Sequence, residues 1–415
     1  MTVLVCLPLL GTRGYEGDIE RVKAWSRRVA LDGLSTVYAM PRPYDVDYPP
    51  VTLYLDGLAG AGYRLLADPT FDLDRALASR GLTAAIKAIG LFFHLAGTVL
   101  VSRVVSSRAG ATAGHAAAAA YALNPAALYA VAHWGQPDPI HSFLLVVGVL
   151  LAGAGRPGGA GLALGLAMMT KPQAWAMVPL FVGAAAGAGW SATGRLLAGC
   201  AAGVLLPALP FLVRGTWHEL LDLPGRITGW MPYVNAGAHN FWWLVTGGTN
   251  WERLLVDEGL WGDVNYRQVA FGLVLAATSF AVWQARRHGL AAVAPYQAFA
   301  WYVLTVQAHE NHSFFVLPLL AVNLHTGWWP RVAFAVLTVT LLINLVLHSP
   351  EIWGRAHFMH LQETRLSLSL ANAATNLLLL AGWTIVLARH HSAGRPSVAD
   401  ASILELVSQP AGGTA

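Results

Sequence analysis

Apolar segments separated by short polar turns run through most of the chain, and one early stretch breaks the pattern. The apolar runs predict membrane crossings at about 83–102, 111–131, 138–154, 160–170, 173–188, 196–213, 267–285, 290–306, 313–325, 331–348 and 367–388, since roughly 20 apolar residues span a bilayer. Several are shorter than a full crossing. The 160–188 stretch reads as two short helices meeting at Thr170-Lys171-Pro172, a break tolerated at membrane depth where it lines a polar cavity. The exception to the apolar pattern is the polar stretch from Gly14 to Pro50. Within it Arg21, Lys23, Trp25, Arg27 and Arg28 alternate with Val22, Ala24, Val29 and Ala30, which predicts an amphipathic helix lying in the interface. Pro41, Pro43, Pro49 and Pro50 then force an extended loop. Thr52 to Leu66 is apolar but carries Asp56 and Arg64, and reads as a peripheral or short membrane helix. Met1 to Leu10 is apolar yet too short to cross, and reads as part of a first helix.

Composition agrees: 55% of residues are hydrophobic and 12% charged, with a mean hydropathy of +0.50. The fold class expected is an all-α polytopic membrane protein of about 11–12 transmembrane helices. It forms one domain over 1–388, with a large first non-cytoplasmic loop (11–82) containing amphipathic helices and a second long external loop (214–266). A net charge of +4 is too small to suggest nucleic-acid binding. Cys6 and Cys200 lie in apolar segments, so no disulfide is expected. No internal repeat is visible.

Where the charges sit is more informative. Alternate loops carry Arg103 and Arg108, then Arg156, Arg195, Arg286 and Arg287, Arg331, and finally Arg389 and Arg395. By the positive-inside rule this set is cytoplasmic, and so is the tail from 389 to 415, expected to be mobile. The opposite set holds Asp18 to Asp47, His133-Trp134-Gly135-Gln136, Lys171, the 214–266 loop and His309-Glu310-Asn311-His312. Every chemically suggestive residue therefore falls on the non-cytoplasmic side, although only arginines set the topology.

Each candidate has a plain alternative. Solvated loops favour aspartate, but Asp18 sits in Glu16-Gly17-Asp18, where glycine lets backbone approach a ligand, and Asp47 runs into Tyr48-Pro49-Pro50. A carboxylate within hydrogen-bond reach of a hydroxyl can act as general base. Lys171 either snorkels to the interface or offers a cation to a phosphate, with Thr170 and Gln173 beside it. His309-Glu310-Asn311-His312 is a turn between helices or a contact for an anionic group. It is not HExxH, because Ser313 stands where the second histidine would be. Trp134 is an interfacial aromatic or, beside Gln136, a platform for a sugar ring. Arg214, Asn240 and Trp242 lie in an aromatic-rich external loop.

The ordered set resembles the GT-C superfamily of polyprenyl-phosphate-sugar-dependent integral-membrane glycosyltransferases. It is most similar to the endoplasmic-reticulum glucosyltransferases that extend the lipid-linked N-glycan precursor. Gly17-Asp18, Asp47-Tyr48-Pro49-Pro50-Val51-Thr52, Phe211 with Arg214-Gly215, Asn240-Phe241-Trp242 and His309-Glu310 resemble that family's blocks in the same order. Asn311 departs from the family's lysine, and Lys171-Pro172-Gln173 looks more like bacterial mannosyltransferase relatives. The resemblance implies a GT-C fold, Asp18 as catalytic base, and His309 beside the donor phosphate.

The expected activity is an inverting transfer of a hexose, glucosyl or mannosyl, from a polyprenyl-phosphate donor to a hydroxyl of a lipid-linked or membrane-associated acceptor. Glu16, Asp47 and Tyr48 would support the acceptor or the loop. Lys171, Arg214 and His309 would bind the donor phosphate, and Trp134, Gln136, Gln173, Asn240, Trp242, Glu310 and His312 would form the sugar pocket. Glu16, Asp18 and Asp47 carry carboxylates enough for a divalent ion, but the resemblance suggests metal-independent chemistry, so no metal or cofactor is expected. The partners expected are the donor, the acceptor and membrane lipids, with no nucleic acid. Scarce lysine and abundant alanine, glycine and arginine suggest a GC-rich prokaryotic genome, hence a plasma-membrane enzyme facing outward. The competing reading is a transporter or flippase of lipid-linked sugars. Against it, polar residues gather in loops on one face rather than mid-helix.

Overall fold

The structure, a computed structural model, describes residues 1–248, 254–354 and 361–389. The tail expected beyond Arg389, with Arg395, lies outside the described residues. Helix boundaries follow local chemistry. After α1 (Thr2–Leu10), α2 (Glu16–Asp32) buries Ile19, Ala24 and Trp25 on its apolar face. It stops at Gly33, whose φ of 89° only glycine adopts without strain. The Pro49-Pro50 pair opens α3 (Pro50–Leu66), proline being pre-shaped for a first helical turn. Asp72 and Ser79 cap α4 (Leu73–Ala78) and α5 (Arg80–Ala109).

The expected 111–131 crossing is broken. α6 (Ala111–Ala122) ends before Pro125, which has no N–H to continue it, and Asn124 caps the N–H groups of Ala126 and Ala127 to begin α7 (Pro125–Leu128). Residues Tyr129–Trp134 then form a wider π-helical turn closed by Gly135. The chain continues through α8 (Asp138–Gly153), α9 (Pro157–Met168), a 3-10 turn at Pro172–Met177, α10 (Val178–Ala188) and α11 (Trp190–Val213). The second external stretch holds α12 (His218–Trp230), α13 (Phe241–Val245) and a small hairpin of β1 (Gly259–Trp261) and β2 (Val264–Asn265). Then come α14 (Tyr266–His288), α15 (Leu290–Leu304), α16 (Val316–Ala321), α17 (Trp328–Leu347), α18 (Pro350–Trp353) and α19 (Glu363–Arg389).

Among the described residues α5, α11, α14, α17 and α19 are long and apolar enough to cross a membrane, and α8, α9 and α15 are shorter apolar helices. The protein is an all-α polytopic membrane protein, with one small hairpin among the described residues. The expected 313–325 crossing contains only the six-residue α16 framed by turns. Residues 313–323 are all buried, so this irregular backbone meets protein rather than lipid.

Two close approaches fix the site's scaffold. Gly161 and Gly165 of α9 face Gly199 and Gly203 of α11 so closely that a Cβ on Gly161 would lie 2.0 Å from the Leu196 carbonyl oxygen. At the break after α9, the Val51 N–H donates to Met169 O (2.7 Å) and the Thr52 hydroxyl to Thr170 O (2.8 Å). The first turn of α3 thereby covers carbonyls that the end of α9 leaves open. At one end of the bundle the turns at 153–157, 185–195 and 285–290 border a cavity of about 830 Å³ with Arg195 and Arg286. The polar set gathers at the other ends of these helices.

Candidate active site

Asp18 stands in the first turn of α2, not on an open loop as its surroundings suggested. Carboxylates are favoured there by the exposed N–H groups and the helix dipole. Asp18 Oδ2 accepts from the Trp134 indole at 3.1 Å and from the Gln136 side-chain amide at 2.7 Å. Trp134 stacks on Tyr15 with centroids 4.5 Å apart, and the Tyr15 N–H donates to Trp134 O at 3.2 Å. The start of α2 and the π-helical turn are thus locked in register. Burial raises the Asp18 carboxyl above its ordinary range, while the Trp134 hydrogen bond, Arg21 and Lys171 draw it partway back.

Gln136 links Asp18 to Lys171. Its amide nitrogen faces Asp18, and its oxygen accepts from Lys171 Nζ at 3.4 Å. Lys171 Nζ also meets both oxygens of Asp138, at 3.0 and 3.1 Å, and lies 5.6 Å from the centre of the Tyr48 ring. The Asn311 amide donates to Asp138 Oδ2 at 3.0 Å. One continuous line of contacts therefore runs from Asp18 through Gln136, Lys171 and Asp138 to Asn311, joining segments distant in sequence.

Asp47 pairs with Arg21 at 3.1 Å, and Arg21 also donates to Asp45 O at 2.7 Å. The Arg21 guanidinium lies over Trp25 and Trp230, 5.1 and 4.5 Å from their centroids. Burial raises the Asp47 carboxyl, and Arg21 opposes it. In the turn after α15 the His309 N–H donates to His312 Nδ1 at 3.2 Å. Burial pushes His309 down to about 4 and His312 well below its ordinary value, so both rings are neutral at pH 7. Burial raises Glu310 to about 8, so this carboxyl keeps its proton at neutrality. Gly237 passes against it: a Cβ there would lie 3.2 Å from Glu310 Oε2.

These groups border one cavity of about 390 Å³. Of the residues singled out in the sequence, it brings together Asp18, Asp47, Tyr48, Gln136, Lys171, Gln173, His309, Glu310 and His312. Trp134 lies behind Asp18 and holds it, without lining the cavity. Four others serve elsewhere. Glu16 sits at the outer start of α2, its side chain 3.7 Å from Arg13. Arg214 is exposed just past α11. Asn240 is a buried cap accepting from the Trp242 and Trp243 N–H groups, and the Trp242 indole donates to Leu304 O. In these last two the polar atoms are spent on backbone that burial would otherwise leave unpaired.

Arg21, Asp138, Asn311 and His348, given no site role from the sequence, complete the cavity wall or its bracing. Arg21 had a signal, lying one helical turn from Asp18 on a recognisable amphipathic helix. Asn311 had none. Among the described residues no group of three or more His, Cys, Asp or Glu side chains is placed to hold a metal ion.

No family model and no curated protein sequence matches the chain. Among solved structures it resembles ArnT from Cupriavidus metallidurans in the apo state, with a TM-score of 0.49 and 16% identity, covering 95% of this chain and 77% of that one. The structure of ArnT from the same organism bound to undecaprenyl phosphate gives a TM-score of 0.48 at 16% identity, again covering 95% of this chain and 77% of that one.

Proposed function

We propose that the protein is an inverting glycosyltransferase of the GT-C type. It moves a hexose from a polyprenyl-phosphate donor to a hydroxyl of a lipid-linked or membrane-associated acceptor. The observation that carries this reading is the shared cavity, where a carboxylate held by two side-chain donors shares the wall with an ammonium and two neutral imidazoles. The arginine-rich turns at the far end of the helices support an outward-facing site in a prokaryotic plasma membrane.

With Oδ2 occupied by Trp134 and Gln136, Asp18 presents Oδ1 to the acceptor. It takes the hydroxyl proton as the oxygen attacks the anomeric carbon and the lipid phosphate departs with the bonding electrons. Such a base contributes on the order of 10²–10⁴-fold. One displacement inverts the anomeric centre. Phosphate leaves without a proton, so a single carboxylate suffices where glycosidases use two. Charge grows on the departing phosphate, and preorganised donors stabilise it. Lys171, already balanced by Asp138, supplies direction more than net charge, and His309 and His312 supply N–H groups. Asp47 acts through Arg21, bracing the loop that carries Tyr48.

The test uses purified protein in nanodiscs with radiolabelled polyprenyl-phosphate sugars and hydroxyl acceptors. Wild type is expected to form a new glycosidic bond, and Asp18→Asn to fold normally without doing so. Undiminished turnover in Asp18→Asn would end the assignment. Movement of lipid-linked sugar across vesicles without bond formation would favour a flippase.

A further inference from the structure

The wall that carries Asp18 and Gln136 also borders a second, smaller chamber, lined by α2, α3, α5 and the bend before α8. Its volume is about 30 Å³, room for roughly two waters at the ~10–15 Å³ one water needs. Val22, Ile86 and Ile140 make its apolar side. Asp56 of α3 lines it too, only 5% exposed, and its buried Oδ2 has no hydrogen-bond partner among the described residues. Thr52, one turn earlier, cannot serve it with a proton, because that hydroxyl is spent on Thr170 O. An unpartnered carboxyl inside a helix packing costs free energy unless water or a ligand satisfies it.

In the proposed reaction Asp18 finishes each turnover protonated, with donor and acceptor filling the main cavity. Oδ2 is held by an indole N–H and an amide N–H, so the proton rests on Oδ1, on a residue that lines both the cavity and the chamber. Lys171 and Arg21 are cations already paired with carboxylates. The small chamber, which Asp18 and Asp56 both line, offers a way out that leads away from the donor and acceptor. Resting on the reading above, we infer that water in this chamber and Asp56 relay the proton away from Asp18 after each transfer. The protonated Asp18 gives its proton to a chamber water, that water gives one to an oxygen of Asp56, and Asp56 releases one from its other oxygen to bulk water. One proton passes, and both carboxyls return to their starting states.

The test measures kcat and KM in nanodiscs for wild type, Asp56→Asn, Asp56→Glu and Asp56→Gly, the last with and without formate. The amide of Asp56→Asn fills the same space but cannot pass a proton on. Its kcat is expected to fall at least tenfold with KM and Tm little changed, and its solvent deuterium isotope effect to rise. Asp56→Glu is expected to keep part of the rate, and formate to restore part of it in Asp56→Gly. If Asp56→Asn does not fold, formate rescue of Asp56→Gly decides. An Asp56→Asn enzyme with the wild-type kcat, or an Asp56→Gly loss untouched by formate, overturns the relay and leaves the transferase reading standing. A wild type that forms no glycosidic bond overturns both.

Discussion

Lys171 and Asp138 meet at 3.0 Å with side chains 3% and 1% exposed, so the cavity's ammonium arrives already neutralised. A buried pair like this adds little net stability, yet removing one partner strands a charge, at about 3–5 kcal/mol. Lys171→Met is therefore expected to lower the Tm sharply in detergent. The double variant Lys171→Met/Asp138→Leu should recover most of that stability and still transfer no sugar. A single variant as stable as wild type would mean that water reaches Asp138.

Trp134 holds Asp18 without lining the cavity. Trp134→Phe keeps the stack on Tyr15 and removes one hydrogen bond to the carboxylate, of a kind that contributes about 1.5–3 kcal/mol. That bond lowers the Asp18 pKa, so its loss raises it further. In the proposed reaction Asp18 acts in its ionised form, so activity is expected to disappear as pH falls through its pKa. The acid limb of kcat/KM against pH is thus expected to move to higher pH in Trp134→Phe. A profile unchanged in position but reduced in height would show that Trp134 only packs.

Glu310 gives stability a pH dependence of the opposite sense. Its folded value of about 8 lies above the ordinary 4.5 because burial disfavours the charged form. A raised carboxyl contributes stability fully below the unfolded pKa, and that contribution is lost as pH rises through the folded one. Wild type should therefore lose Tm between about pH 5 and 8 relative to Glu310→Gln, which stays neutral. Parallel Tm curves for the two proteins across this window would refute it.

The α9–α11 contact depends on absent side chains. Gly161→Ala would bring a methyl within 2.0 Å of Leu196 O, and Gly199→Ala within 2.0 Å of Gly158 O. Each is expected to destabilise by about 1–3 kcal/mol, as overpacking does. Gly272→Ala in α14 meets nothing within 4 Å and should stabilise by roughly 0.5–1 kcal/mol. Thermal unfolding in nanodiscs separates the two classes, and equal shifts would remove the packing argument.

The chain by itself determined most of the helices, because apolar runs, prolines and glycines act within a few residues of where they stand. The break at Thr170-Lys171-Pro172 and the amphipathic character of α2 were legible for that reason. So was the grouping of Asp18, Lys171 and His309, since alternating arginines put their loops on one side of a bundle. Only the tertiary structure decided which polar groups face the cavity and which are consumed inside the protein. Asp138 is given to Lys171, Asp47 to Arg21, Asn240 to the start of α13, and Asp56 to a chamber that Asp18 also lines. Arg214 is left exposed outside the cavity. A buried charge or amide must find a partner, and several of these partners lie dozens of residues or more away along the chain. Residue type announces that need, while only the packing of distant helices determines how it is met.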